Sequence, residues 1–156
     1  MKSGRQHLVL DTSCIVPLVC GWHEHHAGTT RAVEAYLTGG FALAVAAHSL
    51  VEAYAVLTRL PAPHRVAPAV AFDLLERNFG QATETFGLTA RETWTFLGRA
   101  QTAGVAGGRT YDALTAASAR KAVSPLLLTW NLRHLAIFED SELSVASPDA
   151  KQDKRA

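Results

Sequence analysis

Short runs of apolar residues alternate along the chain with longer segments in which apolar side chains recur every three or four positions. The short runs predict strands buried on both faces, at His7–Leu10, Phe41–Ala46, Thr85–Leu88, Pro125–Thr129 and Leu143–Ala146. The longer segments predict helices, at Ile15–Val19, Trp22–Leu37, His48–Leu60, Val66–Phe79, from Thr89 to about Ala103, Tyr111–Val123 and Asn131–Phe138. This alternation predicts an α/β fold of three layers, with helices on both faces of a central, mostly parallel sheet.

Glycines, prolines and capping residues mark several of the predicted boundaries. Gly39 and Gly40 follow the second predicted helix, and two prolines within residues 61–63 follow the third. Thr89 with Glu92 three residues later predicts a capping box at the start of the next helix. A glycine-rich segment at 104–108 predicts a loop, because it follows no strand and lacks the pattern of a phosphate-binding loop.

The length of 156 residues suits one domain, which we expect to span residues 1–148, followed by a polar and flexible tail at 149–156. An apolar fraction of 48% is too high for a disordered chain. Fifteen Lys and Arg against fourteen Asp and Glu give a net charge of +1, which excludes a strongly basic coat over the whole chain. A nucleic-acid partner would therefore need a local basic patch.

Hydropathy and cysteine content predict a cytoplasmic protein without a membrane span. No apolar run is long enough to cross a bilayer, and the amino-terminal residues do not resemble a signal peptide. Cys14 and Cys20 lie in an apolar segment and match neither a disulfide framework nor a zinc spacing. We expect both to be buried free thiols in a reducing compartment.

Four polar residues fall where the predicted topology brings distant segments together. Asp11 ends the first strand, and Asn131 follows the fourth. Glu52 and Asp112 lie near the starts of two predicted helices. In a parallel α/β fold, strand ends and helix starts share the carboxyl edge of the sheet, which is where such folds place their sites.

Carboxylates gathered at one edge repel one another, and a divalent cation supplies the charge that they lack. Ligands that are all oxygen suit Mg²⁺ or Mn²⁺. The expected chemistry is attack of a metal-activated water on phosphorus.

Four segments carry a family resemblance: residues 8–13, 49–60, 111–119 and 127–131. Their order and spacing resemble those of the PIN-domain nucleases, and within that class the VapC-type toxins of bacterial VapBC toxin–antitoxin systems. The resemblance covers residues 7–147 and implies a PIN-like fold. It implies a Mg²⁺- or Mn²⁺-dependent endoribonuclease that acts on structured RNA of the tRNA or rRNA class and leaves 5′-phosphate and 3′-hydroxyl ends. It also implies a homodimer and a VapB-type antitoxin partner.

The resemblance assigns roles to the polar residues. It implies that the catalytic group consists of Asp11, Glu52, Asp112 and Asn131, with Asp11 and Asp112 as metal ligands. Asn131 stands where many relatives have Asp, so it offers an amide oxygen but no charge. Ser13 and Thr129 are expected to orient the acids through their hydroxyl groups.

Three further groups of residues have two interpretations each. The segment Trp22–His26 contains three imidazoles, which we interpret as the exposed start of a helix rather than a metal cluster. His134 is expected to face solvent, with contact to RNA phosphate as the alternative. Arg109 and Arg133 are candidate contacts to the RNA backbone. The cluster of Arg120, Lys121 and Arg133 either forms a patch for that backbone or belongs to an ordinary solvated face.

Two other functions compete with the nuclease. A catalytically weak PIN-fold module would bind RNA or protein, with Asn131 leaving the site short of charge. A phosphatase of the haloacid-dehalogenase type would use Asp11 as nucleophile, but it requires a second Asp where this chain has Ser13. We therefore favour the nuclease.

Overall fold

A five-stranded sheet forms the centre of the protein, whose computed structural model describes residues 4–81 and 83–150. The strands are β1 (His7–Leu10), β2 (Ala42–Ala46), β3 (Glu84–Phe86), β4 (Leu126–Leu128) and β5 (Ser144–Ala146). Their order in the sheet is β3-β2-β1-β4-β5, and every pair is parallel. The predicted α/β class is confirmed, and the sheet is parallel throughout.

Seven α-helices and one 3₁₀ helix connect and cover the described strands. They are α1 (Thr12–Val19), α2 (His26–Thr38), α3 (Ala47–Arg59), α4 (Pro68–Phe79), α5 (Ala90–Thr102), α6 (Arg109–Ala119), α7 (Leu132–Leu135) and the 3₁₀ helix Ala136–Phe138. No helix within residues 4–81 and 83–150 has the length and apolarity that a membrane crossing requires.

The central strand divides the core into two layers because alternate side chains of a strand point to opposite faces. Leu8 and Leu10 of β1 pack with buried residues of α1 to α4 on one face. Val9 packs on the other face with Ala116 and Ala119 of α6. Both Cys14 and Cys20 are buried free thiols, as predicted.

The second helix begins at His26, four residues later than the predicted start at Trp22. The cause is a side-chain acceptor, since the backbone N–H of His25 donates to Nδ1 of His23 at 3.0 Å. The His25 amide therefore bonds to a side chain within a turn, and residues 22–25 lie outside the helix.

The sixth helix spans Arg109–Ala119, whereas the sequence pattern predicts Tyr111–Val123. Val123 is drawn out of helical geometry by the start of β1, because its N–H donates to Nδ1 of His7 at 3.1 Å and its carbonyl accepts from the His7 N–H at 3.0 Å. The other predicted helices and strands are found within a few residues of their predicted ends. The predicted tail at 149–156 lies mostly outside the described residues.

The predicted capping box is present at the start of α5. The Glu92 N–H donates to the Thr89 hydroxyl at 3.2 Å, and the Thr89 N–H donates to the Glu92 carboxylate at 2.7 Å. Lys121 donates to the same carboxylate. These bonds hold the pKa of Glu92 down at about 2, with the Lys121 contact as the largest cause. The Glu92 carboxylate thus caps the start of α5 and links this helix to Lys121, which follows α6.

Replacing Thr89 tests how much this cap stabilises a helix of which only Ala100 is fully buried. We expect Thr89→Ala to lower the free energy of unfolding by about 1 kcal/mol, because the amide of Glu92 loses its acceptor. Urea denaturation measures the change. Thr95→Ala is the matched control, since the Thr95 hydroxyl bonds only to a carbonyl of its own helix. Equal stability of the two variants would contradict the capping role.

Candidate active site

A cleft of about 660 Å³ opens at the carboxyl edge of the sheet. Its lining includes the side chains of Asp11, Glu52, Asp112 and Asn131. Asp11 ends β1, Asn131 follows β4, Asp112 lies in the first turn of α6, and Glu52 lies in the second turn of α3. The structure therefore brings together the four residues that the sequence places at one edge of a parallel sheet.

Asp11 lies at the bottom of this cleft with only 7% of its surface exposed. Its Oδ1 accepts a hydrogen bond from the Ser13 hydroxyl at 2.6 Å and another from the Cys14 N–H at 3.2 Å, so it caps α1. Its Oδ2 accepts from the Thr129 hydroxyl at 2.7 Å. Two hydroxyl groups on separate elements thus fix both carboxylate oxygens.

The same two hydroxyl groups tie the end of β4 to β1. Ser13 Oγ accepts from the Trp130 N–H at 2.9 Å, and Thr129 Oγ1 accepts from the Asn131 N–H at 2.8 Å. Each hydroxyl has one proton, which it gives to Asp11. The predicted orienting role of Ser13 and Thr129 therefore agrees with their geometry, and the same bonds set the backbone of Asn131.

Burial raises the pKa of Asp11 from 3.8 to about 6. Removal from water is the largest cause, and the negative charge of Glu52 adds to it. The bonds from Ser13, Thr129 and Cys14 oppose the rise without cancelling it. The cleft thus contains a buried carboxylate whose negative charge is incompletely compensated.

Glu52 and Asp112 are more accessible than Asp11. Glu52 is exposed, and the Thr12 hydroxyl donates to its Oε2 at 3.0 Å. The side chain of Asp112 is 24% exposed, and its Oδ2 lies 3.8 Å from Nδ1 of His134. His134 is exposed as expected, yet it stands beside a catalytic candidate rather than away from it.

A histidine that the sequence analysis missed joins the two acid-bearing helices. His48 Nε2 lies 2.9 Å from the Thr115 hydroxyl, whose own proton goes to the Tyr111 carbonyl at 3.0 Å. Nε2 of His48 is therefore the donor. Burial lowers the pKa of His48. Because His48 and Glu52 are four residues apart on α3, this bond fixes the helical face that carries Glu52 against α6.

The histidine-rich segment forms one wall of the cleft. His23, Glu24 and His25 belong to its lining, and the His25 ring stacks on Trp130 with 4.0 Å between ring centroids. The prediction that these imidazoles face water at the start of a helix is wrong, because His23, His25 and His26 are all half-buried. His25 packs against Trp130. Local spacing could not reveal a stack between residues so far apart in the chain.

Two of the four basic candidates lie near the cleft. Arg109 follows the lining residue Gly108, and Arg133 lies two residues after Asn131; both are exposed. Arg120 and Lys121 lie past the other end of α6, and they pair with Asp140 and Glu92 respectively. They therefore do not extend a basic patch at the cleft, and both are half-buried in ion pairs.

The donor set of the cleft fits a hard cation that retains part of its water. Carboxylate and amide oxygens are the ligands that Mg²⁺ and Mn²⁺ prefer. Within residues 4–81 and 83–150, no three His, Cys, Asp or Glu side chains already surround one point at ligating distance. Mg²⁺ commonly binds through one or two carboxylates and several waters. Asp11 and Asp112 therefore remain predicted ligands.

Comparison with models of known protein families identifies the family of this chain. A family model described as the PIN domain matches residues 8–138. The chain belongs to the PIN-domain family. The matched range includes all four polar residues of the cleft, so the resemblance noted in the sequence is confirmed.

Two curated relatives of this PIN domain are ribonucleases of Mycobacterium tuberculosis. Ribonuclease VapC40 is 37% identical over 139 residues, which cover 86% of this chain and 94% of the relative. Ribonuclease VapC27 is 37% identical over 112 residues, covering 72% of this chain and 76% of the relative. These similarities support assignment to the VapC group of PIN ribonucleases.

The fold of this PIN domain also matches solved structures. The crystal structure of VapC20 from M. tuberculosis, described as a Sarcin-Ricin loop cleaving toxin, superposes with a TM-score of 0.59. The alignment covers 83% of this chain and 94% of that one, at 17% identity. At this identity the match supports the fold alone.

The pKa of Asp11 makes the stability of this PIN domain depend on pH. Because the pKa is raised by folding, the folded state holds the proton more tightly, and stability falls as pH rises from about 4 to about 6. We expect Asp11→Asn to remove this loss, which amounts to about 3 kcal/mol for a shift of this size. Urea denaturation in EDTA at pH 4 and pH 7.5 measures the difference between wild type and variant.

Asp73→Asn is the control, because Asp73 is an exposed carboxylate on α4. The raised pKa would be contradicted if wild type and Asp11→Asn differed in free energy of unfolding by the same amount at both pH values.

The bond between α3 and α6 gives a second prediction. We expect His48→Ala to lower the free energy of unfolding by about 1 kcal/mol, because one hydrogen bond between the helices is lost. His48→Gln retains a side-chain N–H donor and is expected to lose less. Thermal unfolding of both variants measures this, and equal losses would show that packing, not the donor, matters at this position.

Proposed function

We propose that this protein is the toxin component of a type II toxin–antitoxin system and acts as a Mg²⁺- or Mn²⁺-dependent endoribonuclease. The observation that carries the proposal is the cleft in which Asp11, Glu52, Asp112 and Asn131 meet. Its donors suit a divalent cation, and the chain is 37% identical to a VapC ribonuclease over most of its length. The proposed reaction is hydrolysis of a phosphodiester bond in structured RNA.

Asp11 and Asp112 are the proposed metal ligands. Asp11 has a fixed orientation, since Ser13 and Thr129 hold its two oxygens, and its burial leaves a negative charge that a cation would balance. Asp112 approaches from α6 and keeps part of its surface open to the cleft. When bound, the cation lowers the pKa of a water molecule and offsets charge on the phosphate.

Glu52 and Asn131 complete the proposed site from opposite sides. The Thr12 hydroxyl holds one oxygen of Glu52, which leaves the other free to orient a water. Asn131 is exposed and its backbone is fixed by Thr129, so its amide can hold a water or a phosphate oxygen without adding negative charge. With three carboxylates and one amide, the site favours one cation over two.

Substrate binding is proposed to depend on local charge, because the net charge of the chain is only +1. Arg109 and Arg133 are exposed, follow the lining residues Gly108 and Asn131 by one and two positions, and are the proposed contacts to the RNA backbone. The substrate class is tRNA or rRNA, cut in an unpaired region with 5′-phosphate and 3′-hydroxyl products. The protein is proposed to act in the cytoplasm.

The proposed protein partners are a VapB-type antitoxin and a second copy of this chain. Large apolar side chains lie exposed on several helices away from the sheet, among them Val51 and Phe72. Such surface is available for subunit contacts or for an antitoxin segment.

A non-catalytic RNA- or protein-binding module is the second candidate. It is favoured by the neutral Asn131 and by the lack of three ligating side chains around one point in the described chain. Metal titration separates the two candidates, since only the nuclease requires a bound cation for turnover.

Cleavage of total cellular RNA tests the proposal. We expect discrete fragments with Mg²⁺ or Mn²⁺, none with EDTA, and a loss of roughly 100-fold or more for Asp112→Asn, because loss of a ligand exceeds the usual effect of its supporting contacts. Gel analysis with mapping of fragment ends measures both activity and target.

Asp73→Asn is again the matched control and should cleave like wild type. Asp112→Asn that folds and still cleaves at the wild-type rate would refute the proposed site. A folded wild type that binds metal but cuts no RNA would favour the binding module.

A further inference from the structure

Five aromatic rings form a row whose inner members, His23, His25 and Trp130, line the acidic cleft. Trp22 stacks on His64 with 4.0 Å between ring centroids, and His25 stacks on Trp130 at the same distance. His23 bridges the two stacks, at 5.7 Å from Trp22 and 5.6 Å from His25. The row therefore leads from the α3–α4 connection to the residue between Thr129 and Asn131.

The inner end of the row is anchored by Trp130. Its indole N–H donates to the Thr29 hydroxyl at 2.8 Å, and that hydroxyl donates to the His25 carbonyl at 2.7 Å. Gly28 lies directly against the indole, since a Cβ at this position would come within 3.1 Å of the ring. These contacts fix the start of α2 beside the residues that hold Asp11.

The middle of the row is fixed by contacts with the backbone. Nδ1 of His23 accepts from the His25 N–H, and Nδ1 of His26 lies 2.8 Å from the Pro17 carbonyl, to which it donates. One nitrogen of the His23 ring and one of the His26 ring are thus used within the segment. Among the described residues no three His, Cys, Asp or Glu side chains surround one point, so these imidazoles offer flat surfaces rather than a converging set of ligands.

The outer end of the row is accessible. Trp22 is 48% exposed, and its neighbours His23 and His25 line the cleft that contains the acids. A chain lying with one phosphate at Asp11 and Asp112 would place the adjacent nucleotide beside these rings. Flat aromatic side chains bind bases by stacking, and only unpaired bases expose the faces that stacking requires.

We propose that the row His64, Trp22, His23, His25 and Trp130 is a subsite for unpaired RNA bases next to the scissile phosphate. Trp22 is the residue that contacts the base from solvent. The inference rests on the proposed RNA substrate and adds the residues that recognise its unpaired region, because a paired base cannot stack on these rings.

The test measures binding separately from cleavage. The parent protein is the full chain with Asp112→Asn, so that bound RNA stays intact, and the probe is a short fluorescein-labelled single-stranded RNA of mixed sequence. The same strand annealed to its complement is the duplex probe. Fluorescence anisotropy in EDTA, at a series of salt concentrations, gives the affinities.

We expect Trp22→Ala to weaken binding of the single strand by roughly 5- to 100-fold, the usual effect of removing one stacking ring. Trp22→Phe retains a ring and should restore most of the affinity. Trp94→Ala is the matched control, because Trp94 is 76% exposed on α5 and does not line the cleft. The salt dependence should be unchanged by Trp22→Ala, since a neutral ring displaces no counterions.

Cleavage of total RNA by the corresponding variants without Asp112→Asn supplies the second readout. Trp22→Ala should raise KM, leave kcat unchanged and keep the cleavage positions. If wild type cleaves RNA and Trp22→Ala nevertheless matches Trp94→Ala in both assays, the subsite is wrong and the proposed function stands.

Two other outcomes would also overturn the subsite. One is equal weakening of single-strand and duplex binding by Trp22→Ala, and the other is a reduced salt dependence, which would indicate a charge effect. A wild type that neither binds nor cleaves RNA overturns the subsite and the proposed function together. Binding that needs Trp22 without any cleavage supports the subsite and refutes only the nuclease.

Discussion

The carboxylate of Asp11 is held between two hydroxyl groups that come from different parts of the chain, and this arrangement connects the sheet to the site. Ser13 reaches it from the first turn of α1, and Thr129 reaches it from the end of β4. Because both hydroxyls also accept backbone N–H groups after β4, the position of Asn131 depends on the same contacts. The pairing of β1 with β4 is therefore continued into the cleft by side chains.

The burial of Asp11 raises the pKa of its carboxylate. A carboxylate with a pKa near 6 is ionised at neutral pH at the expense of folding stability. The neighbouring charge of Glu52 adds to that penalty, and the three hydrogen bonds to Asp11 do not remove it. The proposed cation would relieve this penalty, and it would gain a ligand whose direction is already set. The features that destabilise the site without metal are the ones that suit it to bind metal.

The sequence predicts the parts of the structure that depend on hydrophobic pattern and topology. The strand at His7–Leu10 is an uninterrupted buried run, and the convergence of Asp11, Glu52 and Asp112 follows from parallel strands with helices between them. Contacts between side chains distant in the chain escape such reasoning. The bond of His48 to Thr115 and the stack of His25 on Trp130 have no periodicity that could reveal them.

The cleft has an acidic wall, formed by Asp11, Glu52 and Asp112, and an aromatic wall, formed by the row of five rings. Different parts of the structure hold these two walls in place. The acidic wall is fixed by strand ends and helix starts, so the fold itself determines where the oxygens lie. The aromatic wall depends on a turn held by the His23 side chain and on an indole packed against Gly28. Substitutions at Trp22 or His64 would change the exposed rings without altering a strand or an acid. The groups proposed for catalysis are thus separate from those proposed to select the substrate. One PIN scaffold can therefore keep its catalytic acids while the residues of the aromatic wall change.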